Sequence, residues 1–346
     1  MTIKVLVIDD SAMIRKVFEQ ELSKDPGIQV VGTAPDPFVG RDMIVKLKPD
    51  VITLDIEMPR MDGLTFLSKL MKYYPIPVVI VSSLAKKGGD VALKAMELGA
   101  VEVLSKPGTA YSVGDMSEQL IEKVKAASLV RVTKRDSSVI SAPSSGSVIS
   151  TASLGIRTTD KIFAIGSSTG GTEALKDVIT RFPMNCPPTV VVQHMPQNFT
   201  KSFAERLNSL SSVEVKEATD NERLSVGKVL IAPGNLHMEI RRRGIEYFVT
   251  LFDGPMVHHQ RPAVELLFNS VAKFAGQNAV GAILTGMGVD GAEGLLNMRK
   301  AGANTIAQDE RTSVVFGMPK KAIEIGAAQV VKPLQDIAQT MLDFCK

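Results

Sequence analysis

Residues 166–170 have the spacing of a serine nucleophile motif. They read Gly-Ser-Ser-Thr-Gly and follow an apolar run at residues 162–165, which predicts a strand, a tight turn and a helix start. In the pattern G-x-S-x-G, the glycines let a serine sit on a sharp turn with its hydroxyl exposed, and the spacing selects Ser168 over Ser167. Such turns also bind phosphate or merely connect two elements, so the motif alone leaves three interpretations open.

A serine nucleophile needs a base, and the base needs a carboxylate that fixes its tautomer. His194 follows an apolar run at residues 189–193, and Asp290 follows another at 279–285. Like Ser168, both would therefore lie just beyond the carboxyl end of a strand, where doubly wound sheets assemble their sites. The chain order Ser, His, Asp argues against the α/β-hydrolase fold but not against this chemistry.

Three other residues compete for the same roles. His237, after the run at residues 228–232, is a rival base, and Asp253 and Asp309 are rival carboxylates. Spacing alone favours His194 over His237. Together with a hairpin pattern at residues 238–252, the apolar runs predict a second doubly wound, mostly parallel α/β domain.

A second group of polar residues lies near the N-terminus. Five apolar runs alternate there with helix-period segments, at residues 4–8, 29–32, 51–54, 78–81 and 101–104. This alternation predicts a flavodoxin-like, five-stranded parallel sheet covered on both faces. The first helix should begin at a Ser11 cap and present one apolar face, formed by Ile14, Val17, Phe18 and Leu22.

The strand ends of this sheet carry Asp9, Asp10, Asp55, Ser82 and Lys106. Beyond the carboxyl ends of parallel strands these groups should converge. Three carboxylates repel one another unless a cation holds them together, and an oxygen-lined site with few protein ligands suits Mg²⁺.

These positions resemble the receiver domain of two-component response regulators. The resemblance implies that Asp55 accepts a phosphoryl group in the presence of Mg²⁺ and that Ser82 and Lys106 contact the phosphoryl oxygens. It assigns the metal to Asp10, Asp55 and the backbone carbonyl of Glu57, with help from Asp9. It also implies a cis bond between Lys106 and Pro107. Receivers commonly carry an aromatic switch residue where this chain has Val103.

Composition and charge exclude several classes of protein. The 346 residues have a net charge of +3 without a long basic block, and no helix-turn-helix pattern follows the receiver-like region, so nucleic acid is not an expected partner. Cys186 and Cys345 lack metal or redox spacing, which predicts a reducing compartment. With no signal peptide or apolar membrane span in the pattern, we expect a cytoplasmic monomer.

Serine-rich composition at residues 126–159 predicts a flexible linker. The sequence thus predicts a receiver domain at residues 1–125, this linker, and a catalytic domain at residues 160–346.

Four motifs of the second domain resemble the catalytic domain of chemotaxis protein-glutamate methylesterases / protein-glutamine glutaminases: residues 166–174, 193–196, 232–237 and 284–291. The resemblance implies that Ser168 is the nucleophile, His194 the general base and acid, and Asp290 the orienting carboxylate. It further implies an oxyanion hole of backbone amides near Met287 and a pocket floor formed by Thr169, Gly170 and Gly171. Residues 260–265 read Gln-Arg-Pro-Ala-Val-Glu, whereas the family segment is usually His-Arg-Pro-Ser-Val-Asp.

By this resemblance the protein demethylates glutamyl 5-O-methyl esters and deamidates glutamines on methyl-accepting chemotaxis receptors. A chemotaxis histidine kinase would supply the phosphoryl group that activates it, and the esterase half would need no cofactor. Two alternatives stay open: a receiver-gated domain that binds a ligand without catalysis, and a hydrolase of a different ester or amide.

Overall fold

The computed structural model describes residues 2–82, 86–106, 113–132 and 161–346. The chain forms two compact units that divide between residues 142 and 143, inside the predicted linker. Most of the linker lies outside the described residues. No helix in the described ranges is long and apolar enough to cross a membrane.

The first unit is a parallel sheet whose strands are connected by helices. Its strands lie side by side in the order β2-β1-β3-β4-β5, every pair parallel. The predicted five-stranded fold is therefore confirmed. The elements are β1 (Ile3–Ile8), α1 (Ala12–Leu22), β2 (Ile28–Ala34), α2 (Pro37–Leu47), β3 (Val51–Asp55), α3 (Gly63–Tyr73), β4 (Val78–Ser82), α4 (Lys86–Glu97), β5 (Glu102–Ser105) and α5 (Val113–Ser128). Because α5 runs to Ser128, residues 126–128 are helical rather than linker.

The start of α1 confirms the predicted cap. The Ser11 hydroxyl accepts a hydrogen bond from the backbone N–H of Ile14 at 3.4 Å, and such a cap typically stabilises a helix by about 1 kcal/mol. Phe18 and Leu22 are buried, and Ile14 and Val17 pack against the same core cluster. The helix thereby covers β1 and fixes the strand end that carries the aspartates.

The second unit is built on a seven-stranded sheet. Its order is β14-β13-β12-β6-β7-β9-β8, again with every pair parallel. The elements are β6 (Ile162–Ser167), α6 (Gly171–Ile179), β7 (Thr189–Gln193), α7 (Phe199–Leu210), β8 (Glu214–Glu217), β9 (Lys228–Ile231), β10 (His237–Arg243), β11 (Glu246–Phe252), α8 (Val264–Phe274), β12 (Ala279–Ile283), α9 (Ala292–Lys300), β13 (Asn304–Gln308), α10 (Met318–Glu324), β14 (Val330–Lys332) and α11 (Leu334–Asp343).

The centre of this sheet is its most buried part. All residues of β6, β7 and β12 are buried, because parallel sheets carry helices on both faces. The predicted hairpin is confirmed as the antiparallel pair β10–β11, with His237 opposite Phe252. Strands β8, β13 and β14 were not predicted.

Candidate active site

Three neighbouring strands bring Ser168, His194 and Asp290 to one edge of the sheet. Ser168 directly follows β6 and His194 directly follows β7, while Asp290 lies in the loop between β12 and α9. The Nε2 atom of His194 lies 2.7 Å from the Oδ2 atom of Asp290, in a pair whose side chains are both about 97% buried. A buried carboxylate at this distance fixes the position and the tautomer of the imidazole.

The Asp290 carboxylate is held by the N-terminus of α8. Its Oδ2 accepts from the backbone N–H of Val264 at 2.7 Å, and its Oδ1 accepts from that of Glu265 at 2.9 Å. The first N–H groups of a helix have no partner within the helix, and the helix dipole there favours negative charge. The helix thus fixes the carboxylate that in turn fixes His194.

The second ring nitrogen of His194 is available for proton transfer. Its Nδ1 is buried and has no hydrogen-bond partner within the described part of the chain. With the Nε2 proton directed at Asp290, the Nδ1 atom carries the lone pair. This is the protonation state that a general base requires.

A tight turn places Ser168 at the end of β6. The backbone N–H of Ser168 donates to the carbonyl of Thr285 at 3.0 Å, and its own carbonyl accepts from Gly171 at 2.7 Å. Gly170 has a φ of 79°, and a Cβ there would lie 2.5 Å from the Cβ of Val314. Only glycine fits this conformation and this space without strain. The turn then leads directly into α6.

Ser167 has a different task from Ser168. It is fully buried, and its hydroxyl donates to the Oε1 atom of Gln193 at 2.7 Å. Because that hydroxyl is already committed, the structure favours Ser168 as the nucleophile. Gln193 was not singled out in the sequence, although a polar residue that ends a buried strand must find partners.

The rival base His237 is a structural residue. Its Nδ1 accepts from the backbone N–H of Ala263 at 3.3 Å, and its Nε2 donates to the carbonyl of Pro255 at 2.9 Å. Burial lowers the pKa of this imidazole, which keeps it neutral. Both nitrogens are used, so His237 has none left for a substrate.

The rival carboxylates are also engaged elsewhere. Asp253 is mostly exposed and pairs with Arg261. Asp309 accepts from the backbone N–H of Thr312 at 3.0 Å, in the turn after β13. The described contacts therefore bring only Asp290, of the three candidates, to His194.

The predicted pocket residues form the serine turn itself and the start of α6. Thr169 is buried, and its carbonyl accepts from the Thr285 hydroxyl at 2.9 Å. Met287 lies in the loop between β12 and α9, and a Cβ at Gly286 in this loop would lie 2.8 Å from the Cβ of Ser168. This loop and Ser168 are thus in close contact. The assignment of oxyanion donors near Met287 stays a prediction.

Glu265, where the usual family segment has an aspartate, places a second carboxyl group near the site. Its carboxyl is buried, with Oε1 accepting from the Asn269 side chain at 3.2 Å. Burial raises the pKa of Glu265, and the charge of nearby Asp290 raises it further. The segment's main contact with the site is made by backbone groups, at the start of α8.

The receiver-like unit gathers its own acidic cluster. Carboxylate oxygens of Asp9, Asp10 and Asp55 all lie within 4.8 Å of one another. The Nζ atom of Lys106 lies 2.7 Å from Asp55 Oδ2 and 3.2 Å from Asp9 Oδ2. Burial raises the pKa of Asp55 to about 6, against the opposing effect of Lys106. One lysine leaves this cluster with excess negative charge, and the oxygen donors fit a hard divalent cation.

The remaining predicted receiver residues lie around this cluster. The backbone N–H of Glu57 donates to Asp55 Oδ1 at 3.1 Å, while Ser82 is buried at the end of β4. Glu57 and Ser82 both line a cavity of about 500 Å³. Val103 is buried within β5. The predicted cis bond after Lys106 lies outside the described residues.

Fold and site together define a class of protein: a hydrolase with a buried His–Asp pair beside a serine turn, joined to a response-regulator receiver. Residues 163–341 match the family described as CheB methylesterase, and residues 5–116 match the response regulator receiver domain. The chain therefore belongs to the CheB methylesterase family.

Relatives of this family are similar in sequence to this chain over nearly their full length. A protein-glutamate methylesterase/protein-glutamine glutaminase 2 of Syntrophus aciditrophicus is 60% identical over 340 residues, which cover 98% of both chains. A protein-glutamate methylesterase/protein-glutamine glutaminase of Bdellovibrio bacteriovorus is 51% identical, over 98% of this chain and 96% of its own. The crystal structure of the Thermotoga maritima CheB methylesterase catalytic domain is 42% identical, with a TM-score of 0.52, and covers 54% of this chain and 98% of that one.

Proposed function

We propose that this protein demethylates glutamyl 5-O-methyl esters, and deamidates some glutamines, on methyl-accepting chemotaxis receptors, with Ser168 as nucleophile. The observation that carries the proposal is the buried pair of His194 and Asp290, 2.7 Å apart, beside the strand end that bears Ser168. The relatives named for this activity support the choice of substrate.

In the first half of the reaction the Ser168 hydroxyl attacks the side-chain carbonyl of the substrate. His194 takes the hydroxyl proton at Nδ1, and Asp290 stabilises the imidazolium through Nε2. Backbone N–H groups near Met287 stabilise the oxyanion. The ester C–O bond then breaks, and His194 returns its proton to the departing methanol.

In the second half, water releases the acyl-enzyme. His194 removes a proton from the water as it attacks the acyl carbon, and then returns that proton to the Ser168 oxygen. A glutamine substrate follows the same route, with ammonia as the leaving group. The products are a glutamate side chain and the free enzyme.

The receiver unit supplies control of this reaction. Asp55 accepts a phosphoryl group from a chemotaxis histidine kinase, and phosphorylation raises esterase activity. Mg²⁺, held by Asp10, Asp55 and the Glu57 carbonyl with help from Asp9, would offset the charge of the phosphoryl oxygens. Ser82 and Lys106 contact those oxygens.

The location we propose for the protein is the cytoplasm. Cys186 and Cys345 are buried and do not form a disulfide, which supports a reducing compartment.

The test is methanol release from membranes that carry methylated receptors, with and without a small phosphodonor and Mg²⁺. Release should disappear in Ser168→Ala. It should rise with phosphodonor in the wild type but not in Asp55→Ala. Release that is indifferent to Ser168 would contradict the proposed nucleophile and favour a binding domain or a different hydrolase.

A further inference from the structure

Gln193, the last residue of β7, joins the two strand ends that carry the proposed nucleophile and base. Its Nε2 atom donates to the carbonyl oxygens of Ser168, at 3.0 Å, and of His194, at 3.2 Å. Its Oε1 atom accepts from the Ser167 hydroxyl at 2.7 Å. Gln193 is only 3% exposed, so water does not compete for these bonds.

The partners determine how the Gln193 amide is oriented. The two backbone carbonyls can only accept, so the amide NH₂ group must face them. The Ser167 hydroxyl can supply a proton, so the amide oxygen faces it. An ionised glutamate would offer no donor to the carbonyls, and a methionine of similar length would offer neither donor nor a strong acceptor. Only an amide satisfies all three partners.

The surrounding backbone leaves the amide little room to move. A Cβ at Gly171 would overlap the Oε1 atom of Gln193 and would lie 2.8 Å from the Cβ of Ser167. The backbone N–H of His194 also donates to the carbonyl of Ser167 at 3.1 Å. The two strand ends are therefore joined once by main chain and once more through the Gln193 side chain.

We propose that Gln193 is a positioning residue that sets the distance between Ser168 and His194 by holding the carbonyl groups of both through one amide. The inference rests on the proposed function, because it gives Gln193 a task only if Ser168 and His194 react together. Gln193 acts through their backbone and not on the reacting atoms. A displacement of about 1 Å between reacting groups can slow an enzyme on the order of 100-fold.

The experiment uses the full chain and two readouts. One is kcat and KM for methanol release from methylated receptor membranes, and the other is the rate at which a phosphonofluoridate labels Ser168 covalently. For Gln193→Met we expect kcat and the labelling rate to fall by about 100-fold, while KM changes by less than about twofold. Ser167→Ala, which removes only the bond that orients the amide, should lower both rates by a smaller factor.

Thr305→Val is the matched control for lost stability. Thr305 is fully buried in β13, where its hydroxyl donates to the carbonyl of Ala327 at 2.7 Å and accepts from the backbone N–H of Gln329 at 3.0 Å. Like Gln193, it joins two backbone segments of the same sheet, but it touches neither β6 nor β7. This variant should lose thermal stability while it keeps wild-type kcat and labelling rate.

A folded Gln193→Met protein with wild-type kcat and labelling rate would overturn the inference, as would an equal loss of both rates in Thr305→Val. If Gln193→Met does not fold, Ser167→Ala decides, and unchanged rates in that variant count against the inference. If the reagent labels wild-type protein at no serine, or Ser168→Ala still releases methanol, the proposed function itself has failed. The two failures are thus distinguishable.

Discussion

Replacing Asp290 with asparagine should slow the esterase by about 10²- to 10³-fold, a range that follows from its hydrogen bonds. Three groups donate hydrogen bonds to the Asp290 carboxylate. His194 Nε2 and the Val264 N–H donate to Oδ2, and the Glu265 N–H donates to Oδ1. An asparagine retains most bonds if its oxygen faces His194 and Val264 and its NH₂ group faces Glu265. The imidazole then keeps its tautomer but loses the negative charge beside it.

The magnitude follows from that lost charge. Breaking a buried ion pair by removing one charge costs about 3–5 kcal/mol, and about 1.4 kcal/mol corresponds to a tenfold change in rate. The lower part of that energy range, about 3–4 kcal/mol, corresponds to the loss in rate of about 10²- to 10³-fold. Asp290→Ala should be slower still, by about 10⁴-fold, because the imidazole is then free to adopt the wrong tautomer. KM should change little in either variant, since the interaction strengthens in the transition state.

The assay is steady-state methanol release, with thermal unfolding to confirm that each variant is folded. Asp309→Asn is the control, because Asp309 is a partly buried aspartate of the same domain that bonds to Thr312 and not to His194. It should retain wild-type kcat. A folded Asp290→Asn protein within tenfold of wild type, or an equal loss in Asp309→Asn, would refute the reasoning.

Three further predictions concern residues around the two sites. Since burial raises the pKa of Asp55 to about 6 from 3.8, its protonated form stabilises the fold below about pH 4, and this stabilisation is lost as the pH rises through 6. Without Mg²⁺, the free energy of unfolding of Asp55→Asn should therefore exceed that of the wild type by at most about 3 kcal/mol at pH 8, and the two should be equal at pH 3.5. Hydrogen exchange of the β3 amides in urea measures this difference. Gly170→Ala, at a φ of 79°, should cost about 1–2 kcal/mol in thermal unfolding and slow Ser168 labelling. His237→Gln should lose about 1–3 kcal/mol of stability yet keep kcat within about threefold; a 100-fold loss of kcat at wild-type KM would place His237 in the chemistry.

The parts of the fold that could be predicted are those with a strong local cause. The runs that became β6, β7 and β12 are apolar throughout because both faces of a parallel sheet are covered. Their polar successors then had to lie at one edge, since parallel strands all end on the same side. This rule predicts that Ser168, His194 and Asp290 lie together at that edge.

Two of the three missed strands, β8 and β14, lack such a cause. β8 reads Glu-Val-Lys-Glu, and β14 has three residues. Both are edge strands of the sheet, where charged residues and short length are common because one side faces solvent. Their strand conformation comes from pairing with β9 and β13, which a local pattern does not reveal.

The choice between His194 and His237 also depended on distant residues. Both histidines follow apolar runs, so spacing could not decide between them. The groups that occupy His237 come from Pro255 and Ala263, 18 and 26 positions along the chain. Only the folded structure shows that both nitrogens of His237 are hydrogen-bonded, while Nδ1 of His194 has no partner among the described residues.

The departure of residues 260–265 from the usual family segment is explained by the way α8 holds Asp290. The bonds to that carboxylate come from the backbone N–H groups of Val264 and Glu265, which every residue except proline possesses. Side chains in this segment can therefore change while the carboxylate stays bound. At position 265 a glutamate replaces an aspartate, so the change lengthens the side chain without adding a charge beside Asp290. The buried pair of His194 and Asp290 thus depends on where α8 begins, and much less on which side chains begin it.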